Sequence, residues 1–533
     1  MKRSLLFAAL VIATASFGDT FRTNDVEGLV HLLKTYNGTG HTIELESGDY
    51  NLTEECSWYT NSSAYASHLY LTKTCLKGVG DSRESVKLIG DGSLRIIYGD
   101  AGSTVANLMI TNGYAAVVAG YSNSGRGGGV SGGLAVTNCL ITGNISQGHG
   151  GGAYQCKLYE SEISFNTVES GWGGGAHSAT LTNCTVYANV CSRRDNHAYG
   201  GGLAECSAAY NCKIYGNYAK TLVVDNQNRY GLAGGVYLTK LYDCHIHDNY
   251  SDSHGGGVRG STLVRCTVYK NYSGGYGWNA YGCNLIDCDV SYGTVYGCTA
   301  SGSKFHDIGG EVILNENPYK TIMETPTVIM NGYVNMTNCL FTGNGVKNGN
   351  NNITFFQYAT AEKKPSTLVN CTIVSNVYAS TFTFAQAEYP IKVVNCVFSG
   401  NEKRDGSKSD ISMEYQKSKS ACAANSVYFQ NCAYGIRSTN GNLDWSIYPQ
   451  ESPYVFGNEG FGDDPKFQHH RDAEHPFSLR RTSPLIGKGR HEPWMDTATD
   501  LRGEGFARAN GRSVDIGCYQ CWLNPAGTVF SIR

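Results

Sequence analysis

Lys213, His245 and His247 are the residues most readily put to chemical work. Each stands at a fixed place in a recurring hexapeptide, CKIYGN at 212–217 and CHIHDN at 244–249. A lysine base and a histidine acid one repeat apart would equip a polysaccharide lyase or glycosidase. A lyase of this kind would add Ca2+ held by clustered carboxylates, acidifying the proton beside a uronate. No carboxylate cluster accompanies these residues, so Ca2+ belongs only to that alternative, and no metal site or other cofactor is read here. Asp243, Asp248, Asp287 and Asp289 lie on neighbouring repeats. Their slots keep them apart, whereas a glycosidase needs two carboxylates at a set separation. The same outward slots carry Thr185 and Tyr187, Tyr215, and Thr267 and Tyr269. A second line is the residue before each glycine cluster: Arg126, His149, Trp172, Tyr199 and His254. Aromatic faces interleaved with polar donors suit sugar rings. The candidate ligand-binding residues are therefore Tyr187, Tyr215, His247, Tyr269, His149, Trp172, Tyr199 and His254. Plainer readings stand beside this one: tyrosine on an exposed sheet face is ordinary strand chemistry, and a histidine before glycine is often only a loop residue.

These residues are placed by a repeat. Cys-x-apolar-x-x-Asn recurs at 139–144, 184–189, 212–217, 244–249, 266–271, 339–344, 371–376 and 396–401. Ser161 takes the cysteine place in SEISFN, Asn107 is assigned to it in NLMITN, and Cys288 holds it where the Asn is lost. Glycine clusters accompany the repeat at 127–129, 150–152, 173–175, 200–202, 234–235 and 255–257. Within each copy the cysteine and the apolar residue two places on share one strand face. A unit of about 22 residues cannot bury that stripe alone, and stacking like on like makes one core. The expected fold is all-β, a right-handed parallel β-helix solenoid of about 22 to 32 residues per coil. At ~4.8 Å per rung, the stretch 139–396 makes a rod roughly 50 Å long. The repeat Asn is expected to take the left-handed turn and bond the next Asn. The glycines are expected where the backbone bends or approaches a neighbour closely. The cysteines are expected to form a buried thiol stack, with a second slot at Cys156, Cys206, Cys283 and Cys298, because parallel Cβ vectors make poor disulfides. A Cys56–Cys75 disulfide stays open, and Cys518-x-x-Cys521 is a weak metal or redox motif.

The glycine-cluster and apolar-x-x-Asn pair, over roughly 91–435, resembles the repeats of polymorphic outer-membrane proteins and, more broadly, the pectin-lyase-like β-helix superfamily. The resemblance implies the fold; that superfamily mixes lyases, hydrolases, adhesins and structural rods. Gly148-His149-Gly150 resembles a polygalacturonase tripeptide, without its partner aspartates. DDPKF at 463–467, FSLRRTSPLIGKG at 477–489, TDLRGEG at 499–505 and GRSVDIGCYQ at 511–520 resemble the choice-of-anchor domain that follows β-helices in exported bacterial proteins.

The division expected is a signal peptide at 1–15, an N-terminal cap and first rungs at 16–90, β-helix repeats at 91–440 and the choice-of-anchor-like region at 441–533. Lys2 and Arg3, an apolar run at 5–12 and Ala13-Thr14-Ala15 carry the signal reading. A short capping helix is expected over 24–37, with Asn24 as cap and Glu27 three places on. Residues 402–460 read as polar and irregular, a possible insertion. A net charge of −3 with 16% charged residues gives no basic face for nucleic acid. No later stretch reaches the ~20 apolar residues of a membrane span. The leading expectation is a monomeric secreted or bacterial cell-surface rod that binds or presents, adhesin-like, with a polysaccharide or cell-surface glycan as partner. A lyase or glycosidase and a structural surface component are the alternatives.

Overall fold

The computed structural model describes residues 18–53, 66–119, 121, 124–194, 196–308, 316, 318, 328–331, 335–345, 354–359, 366–378, 380–386, 391–403, 405–415, 427–435, 437–440, 450, 451, 454, 455, 464–469 and 472–521. The expected signal peptide and Cys56 lie outside them. The chain winds as a right-handed parallel β-helix. One coil shows the plan. Ala153–Tyr154 belongs to sheet I, Lys157–Tyr159 to sheet II, Glu162–Ser164 to sheet III and Thr167–Val168 to a short sheet IV. Sheets I, II, III and IV gather 15, 17, 16 and 7 strands. Strands this short survive because most in sheets I to III are paired with the coil on either side and bury an apolar residue, such as Leu158 or Ile163, in a continuous core.

The corners explain the hexapeptide. Each ends a strand with a left-handed residue, after which one side chain turns inward. Glu160 (φ 49°) precedes Ser161, and Phe165 (φ 53°) precedes Asn166. The expectation that the repeat Asn is itself left-handed is corrected: Gly143, Phe165, Ala188, Gly216, Asp248 and Lys270, one place earlier, have positive φ. The Asn is instead the inward residue, free to bond along the rod. Its Nδ2 donates to the Oδ1 of the next rung from Asn144 to Asn166 (3.0 Å), Asn189 to Asn217 (2.9 Å), Asn217 to Asn249 (2.9 Å) and Asn249 to Asn271 (2.9 Å). Where Cys288 lacks its Asn, Asn279 from the other side of the coil completes the ladder at 3.0 Å from Asn271. A buried amide left unmet costs roughly 1–3 kcal/mol, so an unbroken ladder is what makes this polar residue tolerable in the core.

The cysteine slot is a second ladder. The backbone N–H of Cys212 donates to Cys244 Sγ and that of Cys244 to Cys266 Sγ, each at 3.4 Å. Ser161 and Ser303 fill the same place with an Oγ, at 3.0 Å from the N–H of Cys139 and of Cys288. The described cysteines are free thiols, Cys75 included. Burial pushes Cys139, Cys156, Cys191 and Cys206 up to about 12, so these are protonated small hydrophobes. The assignment of Asn107 to the cysteine slot is also corrected. Met109 pairs with Leu140, and Ile110 with Ile141, so buried Leu108 matches Cys139 and Asn107 is a left-handed corner residue beside Asn138.

The glycine clusters carry the chain into sheet I. Gly150 has φ 68°, and a Cβ on Gly151 would sit 2.2 Å from the carbonyl oxygen of Gly174. Glycine therefore stands here because the coils touch backbone to backbone. At the N-terminal end the helix Val26–Tyr36 buries Leu29 and Leu33 over the first rung. Its cap is Asp25, not Asn24, since the N–H of Gly28 reaches Asp25 Oδ1 at 2.7 Å. Residues 402–460 are corrected as well: Ile411–Tyr415, Val427–Gln430, Ala433–Tyr434, Arg437–Asn440, Gln450–Glu451 and Tyr454–Val455 continue sheets I to III. Residues 464–469 and 472–521 fold back over sheet III, packing Phe467, Leu485, Ile516 and Tyr519 on Leu340, Val374, Val397 and Ala433. Asn395 and Asn431 donate to the carbonyls of Arg490 (2.7 Å) and Lys488 (3.1 Å) and pin this segment to the coils. Among the described residues no helix is long and apolar enough to cross a membrane.

Candidate functional site

The first expected line lies on the outer face of sheet III. Lys213 and His245 face out on adjacent rungs and are exposed. Tyr187, Tyr215, His247 and Tyr269 occupy one register. Their rings stack face to face at 5.1, 5.1 and 4.8 Å. His247 keeps only 8% of its surface, both ring faces covered by tyrosines and Nδ1 held 2.8 Å from Asp248. Its expected role as an outward acid or sugar platform is therefore corrected: the stack uses up its faces. Tyr215, pushed up to about 12 by burial with Tyr187 and Glu316 adding, is likewise a packed ring. The aspartates separate as expected, Asp243 pairing with Arg265 (2.7 Å) and Asp289 with His306 (2.7 Å). His306 also holds Asp307 at 2.7 Å, and these two carboxylates raise its imidazole to about 9.

The second line, on sheet I, is different in kind. After each glycine cluster the first residue of the strand points in and the next points out. The outward series in register is Tyr154, His177, Ala204, Tyr237, Arg259, Tyr281 and Tyr296. His149, Trp172, Tyr199 and His254 come from the turns just before and lean over this series. Trp172 lies 5.5 Å from His149, 5.3 Å from Tyr199 and 6.0 Å from Tyr237. Tyr199 stacks on Tyr237 at 4.4 Å, and His254 on Tyr276 and Tyr281 at 5.5 Å each. Ala204, the one small side chain in the series, leaves the gap that Trp172 and Tyr199 bridge. Three guanidiniums lie against these rings: Arg126 over Tyr154 (5.0 Å), Arg193 over Trp172 (5.5 Å) and Arg259 over Tyr281 (4.6 Å). The pre-glycine residues are the ones the sequence singles out, and the structure places them on this face. Tyr154, His177, Tyr237, Arg259, Tyr281 and Tyr296 were not singled out, although the period of two running on from the glycine cluster marks the first four; Tyr281 and Tyr296 follow Trp278-Asn279-Ala280 and Gly293-Thr294-Val295 and carry no such mark.

His149 Nδ1 accepts the backbone N–H of Trp172 (3.1 Å), His197 Nδ1 that of Tyr230 (3.0 Å) and His254 Nδ1 that of Tyr276 (3.0 Å). A ring that accepts at Nδ1 carries its proton on Nε2, so each is a neutral N–H donor. Burial lowers His254, with Arg259 adding, and takes His177 down to about 3, with His149 and Arg126 adding. The face opens into a cleft of about 600 Å³ lined by His197, Tyr199, Tyr230, Asp252, His254 and Arg259. It forms where the coil between Asn217 and Gly234 widens into the antiparallel hairpin of Leu222–Val224 and Gln227–Arg229. Among the described residues no group of three or more His, Cys, Asp or Glu side chains is placed to hold a metal ion. Such a surface can stack sugar rings and donate hydrogen bonds to their oxygens.

No family model and no curated protein matches the chain. Solved structures that resemble it include the catalytic domain of a GH87 alpha-1,3-glucanase bound to nigerose, 12% identical, covering 82% of this chain and 68% of that one at a TM-score of 0.25. Pectate lyase Pel9A is 12% identical over 95% of this chain and 98% of its own, at 0.24. The tailspike protein gp49 from Pseudomonas phage LKA1 is 11% identical over 79% and 77%, at 0.32. Likeness of this degree says nothing about activity.

Proposed function

We propose that this protein is an exported rod that binds polysaccharide along the outer face of sheet I, at the cell surface or after secretion. The observation that carries the reading is the row of rings and Nε2–H donors from His149 to His254, repeated at rung spacing and opening into the 600 Å³ cleft. A polymer lying along the rod meets one ring or donor per ~4.8 Å of rise. Its C–H faces pack on the tyrosines and Trp172, and its hydroxyls accept from the histidines. Among the described residues lining the cleft the carboxylate is Asp252, which takes the Tyr218 hydroxyl (2.9 Å) and the Thr221 N–H (2.7 Å), so the cleft shows no carboxylate pair of the kind glycosidases use. Binding without turnover is therefore the reading this geometry supports best.

The test is electrophoresis of the purified mature chain through gels cast with a panel of neutral and acidic polysaccharides, together with assays for new reducing ends and unsaturated sugars. Retardation by at least one polymer without product is expected. Product from any polymer replaces this reading with a lyase or glycosidase. A folded rod that no polymer retards leaves a structural surface component.

A further inference from the structure

We propose that the cleft of His197, Tyr199, His254 and Arg259 takes an acidic sugar unit, one bearing a carboxylate or a sulfate ester. The proposal deepens the binding reading above and rests on it. Arg259 makes no ion pair with a described residue, and its Nη1 is buried without a hydrogen-bond partner. The guanidinium plane is already fixed, 4.6 Å over the Tyr281 ring and 5.9 Å from that of Tyr199. An unmet buried donor is costly, and an oxyanion, carboxylate or sulfate ester, is the group that meets both the donor and the charge. A neutral hydroxyl meets only the donor.

The neighbours fit the same ligand. His254 keeps Nδ1 on the backbone N–H of Tyr276, so its Nε2–H can donate to an anion or hydroxyl without a proton being taken up. Tyr199, on the same wall, offers a ring for the sugar's C–H face. Asp252 is the one carboxylate of the cleft, and it is tied to Tyr218 and Thr221.

The experiment uses the whole mature protein and three probes: polygalacturonate for the carboxylate, carrageenan for the sulfate ester and dextran as the neutral polymer. Retardation in gels gives the affinity of wild type, Arg259→Met, Arg259→Lys and His254→Ala, and circular dichroism melts show that each is folded. One of the acidic polymers is expected to bind wild type best, less tightly as salt rises. Arg259→Met is expected to lose ten- to a hundred-fold of that affinity, the size of a lost hydrogen bond to a charged group. Arg259→Lys should recover part of it, and the affinity for dextran should not move. If Arg259→Met unfolds, His254→Ala is expected to show the same selective loss. Equal retardation by acidic polymers and dextran, or acidic binding that neither Arg259→Met nor His254→Ala weakens, overturns the acidic-unit proposal and leaves polysaccharide binding standing. Failure of these three and of every polymer in the wider panel to retard the folded protein overturns both.

Discussion

Two aromatic lines run along this rod, and they have opposite economies. On sheet III, Tyr187, Tyr215, His247 and Tyr269 come from one register and stack ring on ring at close to rung spacing. Each ring is satisfied by the next. On sheet I, rings arrive from two places in the coil, the strand and the turn before it, and they meet edge to face as well as face to face. Ala204 and the widened coil interrupt the row, and a cleft with an unmatched guanidinium is left. Repetition of one slot gives a self-complementary stack, whereas a defect in the repetition gives a place for something else. The C-terminal end repeats the lesson. Where the outward residues of sheet III turn apolar, at Leu340, Val374 and Val397, the chain's own residues 464–469 and 472–521 cover them.

The comparison is broken most completely at the glycines beneath sheet I. Gly151→Val would place its Cβ 2.2 Å from the Gly174 carbonyl oxygen, backbone that cannot give way. The coils should fail to close, and no soluble folded protein is expected by circular dichroism and gel filtration. Asn217→Ala, at the corner after sheet III, removes donors to Val186 (3.0 Å) and Asn249 (2.9 Å) and the acceptor for Asn189. A loss of about 3 kcal/mol is expected in urea unfolding, since several buried groups go unmet at once. A loss under ~0.5 kcal/mol would mean that the amide ladder does not hold the coils.

The binding contrast is sharper still, though smaller in energy. Tyr199→Ala should weaken polymer binding about three- to ten-fold, in keeping with one aromatic contact. Tyr215→Ala should leave binding unchanged and lower the melting temperature instead. Beyond the stack, on the same outer face, His306 gives a pH signature. Its folded value of about 9 lies above the ordinary 6.5, so its contribution to stability is complete below 6.5 and is lost as pH rises through 9. The effect is on the order of 1 kcal/mol, reduced by solvent screening of a partly exposed group, and His306→Gln should flatten stability between those values. Cys244→Ser should change stability least, under ~1 kcal/mol, because Ser161 and Ser303 already serve in that ladder.

The fold was legible from the hexapeptide because one spacing encodes a strand, a corner and a ladder residue together. The sequence could not say which of two adjacent residues takes the left-handed turn. Both choices preserve the period, and only the inward amide bonds of Asn144 to Asn271 decide it. Asn279 was hidden because it completes the ladder from outside the motif, eight residues after Asn271. The strands within 402–460 were obscured by the irregular spacing between them, although their pairing continues the register. At the site, Trp172, Tyr199 and His254 could be read from their place before glycine. Whether an outward aromatic would stack on its own copies or stand over a cleft depends on what neighbouring coils contribute, as His247 and Arg259 show in opposite directions.

Hydroxyl-radical footprinting of the mature chain, with and without the polymer that retards it most, compares the two lines in one experiment. Protection on adding polymer is predicted at Trp172, Tyr199, Tyr230 and His254, with Tyr187, Tyr215 and Tyr269 oxidised equally in both states. Protection of the sheet III tyrosines with the sheet I residues unchanged would contradict the account.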